Sequence, residues 1–148
     1  MFKIGFLQCQ IVKELPHMNM PLFVNDIKAI GCSCECVCAS RNKLGDLTRY
    51  LKKKEFDLIA VDYTFPITFL NKLKKLFPRS QFVIGGNGFL DTYLKSDIDF
   101  AVIGAGRVSF LRLVEALRNK NKVSDIPNLF FKIKKGNKTL IDYSGKNV

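Results

Sequence analysis

The feature that most constrains the fold is the apolar run within Asp57 to Tyr63, where four apolar residues, Leu58 to Val61, follow one another. Side chains of a strand alternate between the two faces of a sheet, so such a strand is apolar throughout only when both faces are covered. Sheets covered on both faces are typically parallel and lie between two layers of helices. The run therefore predicts an α/β protein with a buried parallel sheet.

Strand and helix patterns alternate along the rest of the chain as such a sheet requires. Further strands are predicted at Lys3–Leu7, Cys32–Cys38, Phe82–Ile84 and Phe100–Ile103, and helices at Pro21–Ile30, Leu44–Lys54, Pro66–Phe77, Phe89–Lys95 and Val108–Arg118. Short right-handed connections favour a flavodoxin-like, doubly wound sheet of five parallel strands in the order 2-1-3-4-5.

The last part of the chain shows a different pattern. Leu129–Lys134 and Lys138–Asp142 are strand-like, and the residues between them include Gly136 and Asn137, which is typical of a β-hairpin. We expect this hairpin to be a separate feature at the end of the fold. The predicted division is an α/β domain over residues 1–125 and a hairpin or linker over residues 126–148.

The chain of 148 residues has a formal net charge of +11, from 24 Lys and Arg against 13 Asp and Glu. Such an excess indicates either a solvated surface rich in lysine or a polyanionic partner such as nucleic acid. The first interpretation is favoured, because few aromatic residues interleave with the basic runs. Most of these lysines are expected on outer helix faces: Lys52 to Lys54, Lys72, Lys74, Lys75, Lys120 and Lys122.

No apolar run approaches the roughly 20 residues that span a bilayer, and the N-terminus shows no cleavable signal. We therefore expect a soluble, cytoplasmic protein without a membrane partner.

Cys32, Cys34, Cys36 and Cys38 alternate with single residues. On a strand this spacing directs all the thiols to one face, with the outer two about 20 Å apart. One tetrahedral zinc ion, with sulfur ligands at about 2.3 Å, cannot gather thiols spread so widely. Packing of the thiols as small apolar groups in the core is therefore favoured over a metal site, a disulfide or redox chemistry.

Ligands of doubly wound sheets bind beyond the carboxyl ends of the strands, near the point where the strand order reverses. The chain is expected to place four loops there, at residues 8–19, 62–65, 85–88 and 104–107. Two of these loops are rich in glycine, which lacks Cβ and lets a ligand approach the backbone closely. A tight turn would explain one glycine pair, but glycine-rich turns at consecutive strand ends favour a binding site.

Common small-ligand sites fit these loops poorly. A phosphate loop ending in Gly-Lys-Ser/Thr is absent from the sequence. The stretch from Gly104 matches the dinucleotide fingerprint only in part, because Ser109 replaces its third glycine and no strand with a ribose-binding acid follows about 20 residues later. A phospho-receiver site would need an acidic pair after the first strand and a lysine after the fifth, where this chain has Gln8, Cys9 and Gly104.

Four segments in order, Asp57–Thr64, Phe82–Asn87, Asp97–Gly106 and Ile126–Phe130, resemble the cobalamin-binding domain that precedes the barrel of class B radical SAM enzymes. In that family a Gly-Gly-x-x turn follows the fourth strand, and a Gly-x-Gly turn follows a strand introduced by Asp-x-Asp-Phe. The resemblance covers nearly the whole chain in order and spacing.

The resemblance implies a module that holds cobalamin (B12) for a catalytic barrel, with methyl transfer as the commonest chemistry. The glycine pair at 85 and 86 would admit the nucleotide tail, and the backbone amides of residues 104–107 would meet its polar groups. The implied cofactor-binding residues follow the strand ends: Gln8, Cys9, Gln10, Asp62, Tyr63, Thr64, Gly85, Gly86, Asn87, Gly104, Ala105, Gly106 and Arg107.

The single histidine, His17, lies in the first of these loops. There the methionine-synthase type of B12 domain carries Asp-x-His-x-x-Gly, whose histidine is the lower cobalt ligand. Both the Asp and the Gly are missing around His17. Without a carboxylate to fix its tautomer, His17 is expected to be an ordinary loop histidine, and metal ligation by it is the less favoured alternative.

The family's Cys-x-x-x-Cys-x-x-Cys motif is absent from this sequence. We therefore expect the chain alone not to be catalytic. The iron-sulfur cluster, S-adenosylmethionine and the radical SAM barrel are expected in a separate catalytic domain, in cis or in trans, and the chain is either an excised domain or a stand-alone relative. The alternative is a degenerate B12-domain fold that binds nucleic acid or protein without cofactor, which the charge of +11 and the bulky Phe89 next to the glycine-rich loop at residues 85–88 favour.

Overall fold

The computed structural model describes residues 1–9, 20–39, 44–62, 65–85, 90–103 and 107–143. The strands in these ranges are β1 Lys3–Cys9, β2 Ser33–Ala39, β3 Leu58–Asp62, β4 Gln81–Gly85, β5 Phe100–Val102, β6 Leu129–Lys135 and β7 Lys138–Tyr143. The helices are α1 Met20–Ala29, α2 Leu44–Lys54, α3 Ile67–Leu76, α4 Leu90–Lys95 and α5 Arg107–Asn119. Each element lies within one or two residues of its predicted bounds.

The strands form one sheet in the order β2-β1-β3-β4-β5-β6-β7. Strands β1 to β5 are parallel, so the predicted α/β class and the order 2-1-3-4-5 are confirmed. The expected separation of the hairpin is wrong, because β6 pairs antiparallel with β5 and extends the sheet to seven strands. The reason is that β6 is apolar on both faces: Leu129 and Phe131 join one core, and Phe130 packs against the other. The division at residue 126 stays a prediction.

Two apolar cores cover the two faces of the sheet, as the run in β3 predicts. On the face covered by α2, α3 and α4, called the α2–α4 face, Ile59 and Val61 of β3 pack with the helices. On the other face, called the α1–α5 face, Leu58 packs with Ile27 of α1 and Leu113 of α5. Within the described ranges, no helix has the length and apolar character needed to cross a membrane.

The predicted packing of the cysteines is confirmed for two of them. Cys32 is buried in the core of the α1–α5 face as a free thiol, and Cys34 packs against the same core. The side chains of Cys36 and Cys38 lie outside the described residues. Within the described part of the chain, no group of His, Cys, Asp and Glu is arranged to hold a metal ion.

A close contact at Gly5 fixes how β1 sits beside β3. The ring of Phe56, which precedes β3 and is buried, lies so near that a Cβ on Gly5 would stand 2.9 Å from its Cδ2. Next to this contact, the Lys3 backbone N–H donates to the Asp57 carboxylate at 2.8 Å, and the Asp57 N–H donates to the Lys3 carbonyl at 2.9 Å. Gly5 is therefore a packing requirement of the α2–α4 face.

We expect Gly5→Ala to lower the free energy of unfolding by about 1–3 kcal/mol, because the buried Phe56 ring must move to admit the methyl group. Urea denaturation of the two proteins measures the loss. Gly45→Ala is the matched control: Gly45 is exposed in α2, and a Cβ there meets no described atom within 4 Å. Alanine is the better helix former, so this variant should be as stable as the parent or up to about 1 kcal/mol more stable. Equal losses in both variants would contradict the contact at Gly5.

Candidate functional site

The carboxyl ends of the parallel strands meet along one edge of the sheet, called here the carboxyl edge. The strand register puts the backbone of Asp62 beside Gly85, and Gly85 beside Val102. Strand β1 lies between β2 and β3, and the helices that follow β1 and β3 cover opposite faces of the sheet. Loops that diverge in this way leave a crevice, which is where doubly wound proteins bind their ligands.

The structure describes part of the predicted site. The backbones of Gln8, Cys9 and Asp62 end strands at the carboxyl edge, but their side chains lie outside the described residues. Gly85 and Arg107 are described in full. The remaining predicted positions lie outside the described residues: Gln10, His17, Tyr63, Thr64, Gly86, Asn87, Gly104, Ala105 and Gly106. Phe89 also lies outside them.

Gly85 is the last residue of β4, and the described residues leave its Cβ position open. A Cβ placed on it meets no described atom within 4 Å, and its φ lies outside the left-handed region. Neither the backbone conformation nor the packing of the described residues therefore requires glycine here. Since Val83 faces the α1–α5 core and strand side chains alternate, the missing Cβ of Gly85 would point to that same face.

Arg107 begins α5 at the carboxyl edge, and its guanidinium is engaged by α1. Its Nε donates to the Asp26 carboxylate at 2.6 Å, and the two side chains are 45% and 28% exposed. This hydrogen bond raises the pKa of Arg107, while desolvation acts in the opposite direction. The Arg107 charge is thus matched by Asp26, and α5 offers a ligand mainly the backbone N–H groups of its first turn.

Sequence reasoning missed a second set of contacts, which lie just before and just after residues 104–106. The buried Ser109 hydroxyl donates to the Pro127 carbonyl at 2.6 Å, and the Ile103 N–H donates to the Asn128 carbonyl at 3.0 Å. Asn128 has a left-handed φ of 57°, a conformation that asparagine tolerates better than most residues. Residues 127 and 128, called the 127–128 brace, therefore hold the end of β5 and the start of α5 in place.

The other described groups with shifted pKa values lie toward the opposite edge and connect structural elements. Burial raises the pKa of the Tyr93 hydroxyl, and burial also lowers the pKa of Lys132, whose Nζ donates to the Ser96 carbonyl at 2.6 Å. A hydrogen bond from Tyr50, followed by one from Lys54, lowers the pKa of Glu35. These contacts link α4 to β6 and α2 to β2.

No protein-family model and no curated protein sequence matches this chain. Solved structures do match it. The radical S-adenosylmethionine methyltransferase TsrM from Kitasatospora setae superposes with a TM-score of 0.70 at 16% identity, over 88% of this chain and 28% of that one. The cobalamin-dependent S-adenosylmethionine radical enzyme OxsB gives a TM-score of 0.69 at 8% identity, over 97% of this chain and 22% of that one.

These likenesses establish the fold. The likeness extends beyond such enzymes, since the type II dehydroquinase from Butyrivibrio crossotus gives a TM-score of 0.53 at 11% identity, over 79% of this chain and 97% of that one. One of the matching TsrM structures has cobalamin and a [4Fe-4S] cluster bound. The present chain spans only 28% of TsrM and 22% of OxsB, so it corresponds to a part of each.

We expect Ser109→Ala to loosen the 104–106 turn. The variant loses a buried hydrogen bond and leaves the Pro127 carbonyl unpaired, which costs about 1–3 kcal/mol of stability. Hydrogen exchange of backbone amides in residues 103–109 should become faster under native conditions.

Ser80→Ala is the matched control, because the buried Ser80 hydroxyl also donates to a backbone carbonyl, that of Phe56, at 2.6 Å. It should cost a similar free energy without changing exchange in residues 103–109. If both variants speed exchange there equally, the 127–128 brace does not position the turn.

Proposed function

We propose that this chain is a cobalamin-binding module that holds the corrinoid for a radical SAM catalytic domain. The observation that carries the proposal is the extent of the fold likeness: 88% and 97% of the chain superpose on TsrM and OxsB with TM-scores of 0.70 and 0.69. The dehydroquinase, which shares the general α/β arrangement, superposes over less of the chain at a lower score.

The geometry of the carboxyl edge supports this assignment. Cobalamin is bulky, and its nucleotide tail needs room between the sheet and a helical layer. Gly85 supplies such room, because its missing Cβ leaves open space on the α1–α5 face at the end of β4. A glycine that the described packing does not require fits a position that must stay clear for a ligand. The residues present thus fit the cofactor.

Each part of the edge would have its own task in binding. Gly85 and Gly86 would leave room for the nucleotide tail of cobalamin. The backbone amides of residues 104–107, at the start of α5, would donate hydrogen bonds to the polar groups of that tail. The segments 8–10, 62–64 and residue 87 would line the crevice. The Arg107–Asp26 pair would hold α5 against α1 beside the tail. Metal ligation by His17 remains the less favoured alternative.

When bound, cobalamin supplies a cobalt-centred group that can carry a methyl. The part of this chain would be to bind the cofactor, to orient it through the carboxyl edge and to keep water from its tail. The [4Fe-4S] cluster and S-adenosylmethionine would belong to the catalytic domain, joined in cis or bound in trans. The free thiol of Cys32 agrees with a reducing compartment, and a cytoplasmic location is part of the proposal.

Titration of the purified chain with hydroxocobalamin tests the proposal, with visible absorbance and co-elution in gel filtration as readouts. We expect binding at micromolar protein. We also expect Gly85→Leu to weaken binding roughly tenfold or more, since the new side chain fills the open space, while the free energy of unfolding does not fall. The absorbance of the bound corrinoid also reports whether a histidine coordinates cobalt.

Gly45→Leu is the matched control, because a Cβ at Gly45 is also free of described contacts but belongs to α2. This variant should bind hydroxocobalamin like the parent chain. Absence of binding by the parent at high corrinoid concentration would contradict the proposed function. Equal weakening in both variants would instead contradict the role of Gly85.

A further inference from the structure

The basic side chains of this protein collect at the edge of the sheet opposite the candidate site, called here the amino edge. In the α/β arrangement each helix runs back from the carboxyl edge, so it ends where the next parallel strand begins. Every described helix has a basic residue in its last turn: Lys28 in α1, Lys52 to Lys54 in α2, Lys74 and Lys75 in α3, Lys95 in α4 and Arg118 in α5. The topology therefore brings basic residues that are distant in sequence to one side of the molecule.

Strand ends and turns add to the same edge. Lys3 begins β1, and the turn between α3 and β4 carries Arg79. The turn after α5 carries Lys120 and Lys122. Because β6 runs antiparallel to β5, the tip of the hairpin also projects at this edge, and it carries Lys134, Lys135 and Lys138.

The acidic residues of the amino edge are fewer: Glu55 and Asp97 are exposed, and the other three accept hydrogen bonds. Asp99 accepts from Lys74 Nζ and from the Phe82 N–H, both at 2.8 Å. Asp57 accepts from the Lys3 N–H at 2.8 Å, and Glu35 accepts from Lys54 Nζ at 3.1 Å. Within the described part of the chain, these basic residues of the edge are exposed and have no acidic partner: Lys52, Lys53, Lys75, Arg79, Lys120, Lys122, Lys134, Lys135 and Lys138.

Elsewhere in the described chain acidic residues slightly outnumber basic ones. Arg49 pairs with Asp46, and Arg107 pairs with Asp26. The other charged residues there include the acidic Asp91, Glu115, Asp125 and Asp142 and the basic Arg112 and Lys132. The net positive charge of the described residues is therefore concentrated on the amino edge. Favourable interaction of cations with helix C-termini explains one basic residue per helix, but not the lysines of the hairpin tip.

The chemistry of the edge favours a phosphate polymer over a protein partner. Protein interfaces are depleted in lysine and enriched in aromatic residues, and single-stranded nucleic acid is bound by exposed aromatic rings. Among the described residues of this edge, the exposed large hydrophobic side chains include Met1, Leu76 and Leu94, and none is aromatic. Lysines act as point charges that contact phosphates without reading sequence. Seven strands about 4.8 Å apart give the edge a width of about 30 Å, enough to face several phosphates of a duplex.

We infer that the amino edge binds the backbone of double-stranded nucleic acid without sequence preference. The surface lies at the other end of the strands from the carboxyl edge, roughly 20 Å away for strands of this length. Nucleic acid bound there leaves the candidate cofactor site open. The inference therefore does not depend on cobalamin binding.

Fluorescence anisotropy of the full chain with a labelled 20-base-pair DNA duplex of mixed sequence, from 50 to 200 mM NaCl, tests the inference. Binding should weaken steeply with salt, because each phosphate contact releases counterions. Lys53→Gln/Lys75→Gln removes two exposed, unpaired charges of the edge, and it should weaken binding several-fold and reduce the salt slope by about 2. Arg49→Gln/Arg112→Gln is the matched control, since it removes the same charge from exposed positions in the middle of α2 and α5. This control should leave the affinity for the duplex and the salt slope nearly unchanged.

Three results would overturn the inference. Absence of duplex binding at 50 mM NaCl would show that this surface is not a nucleic-acid site. Equal weakening of binding by both double variants would mean that the overall charge, and not this edge, attracts the duplex. Competition by poly-glutamate as effective as competition by unlabelled duplex would assign the edge to an acidic protein instead. Hydroxocobalamin binding, measured in parallel, is expected to be the same in both double variants and the parent.

Discussion

The burial of a parallel sheet between two apolar cores is the constraint on which the rest of this structure depends. Because β1, β3, β4 and β5 alternate side chains between the α2–α4 face and the α1–α5 face, a slip of one residue in any of them would exchange its contacts between the cores. The register is further locked where Gly5 admits the Phe56 ring. A sheet held so firmly at its centre can leave its carboxyl edge open and still keep the strand ends in place.

The two edges of the sheet have different physical characters. At the carboxyl edge the described contacts are local and specific: the Arg107–Asp26 pair joins two helices, and the 127–128 brace anchors the turn that leads into α5. At the amino edge most charged side chains are exposed and most are basic. In the two proposals, the first edge would hold one ligand in one orientation, and the second would contact a polymer without orienting it.

The order of the strands was predictable because each segment carries its own periodicity, and the apolar run in β3 requires cover on both faces. What could not be predicted are contacts between residues with no local signal. Arg107 and Asp26 are 81 positions apart and each looks like an ordinary charge on a helix. The attachment of β6 to β5 depends on Phe130 and Phe131 finding opposite cores, which a hairpin pattern alone does not reveal. The predicted side chains at residues 8–10, 62–64 and 86–87 remain predictions.

The hairpin has a consequence for the path of the chain. Strand β6 carries the backbone from the carboxyl edge to the amino edge, and β7 carries it back, so Tyr143 stacks on Phe130 with ring centroids 4.4 Å apart and its hydroxyl reaches Asn128. Two added strands therefore widen the sheet without changing the edge at which the chain leaves it. A hairpin of this kind adds strands to the side of a sheet, and the polypeptide still returns to the carboxyl edge.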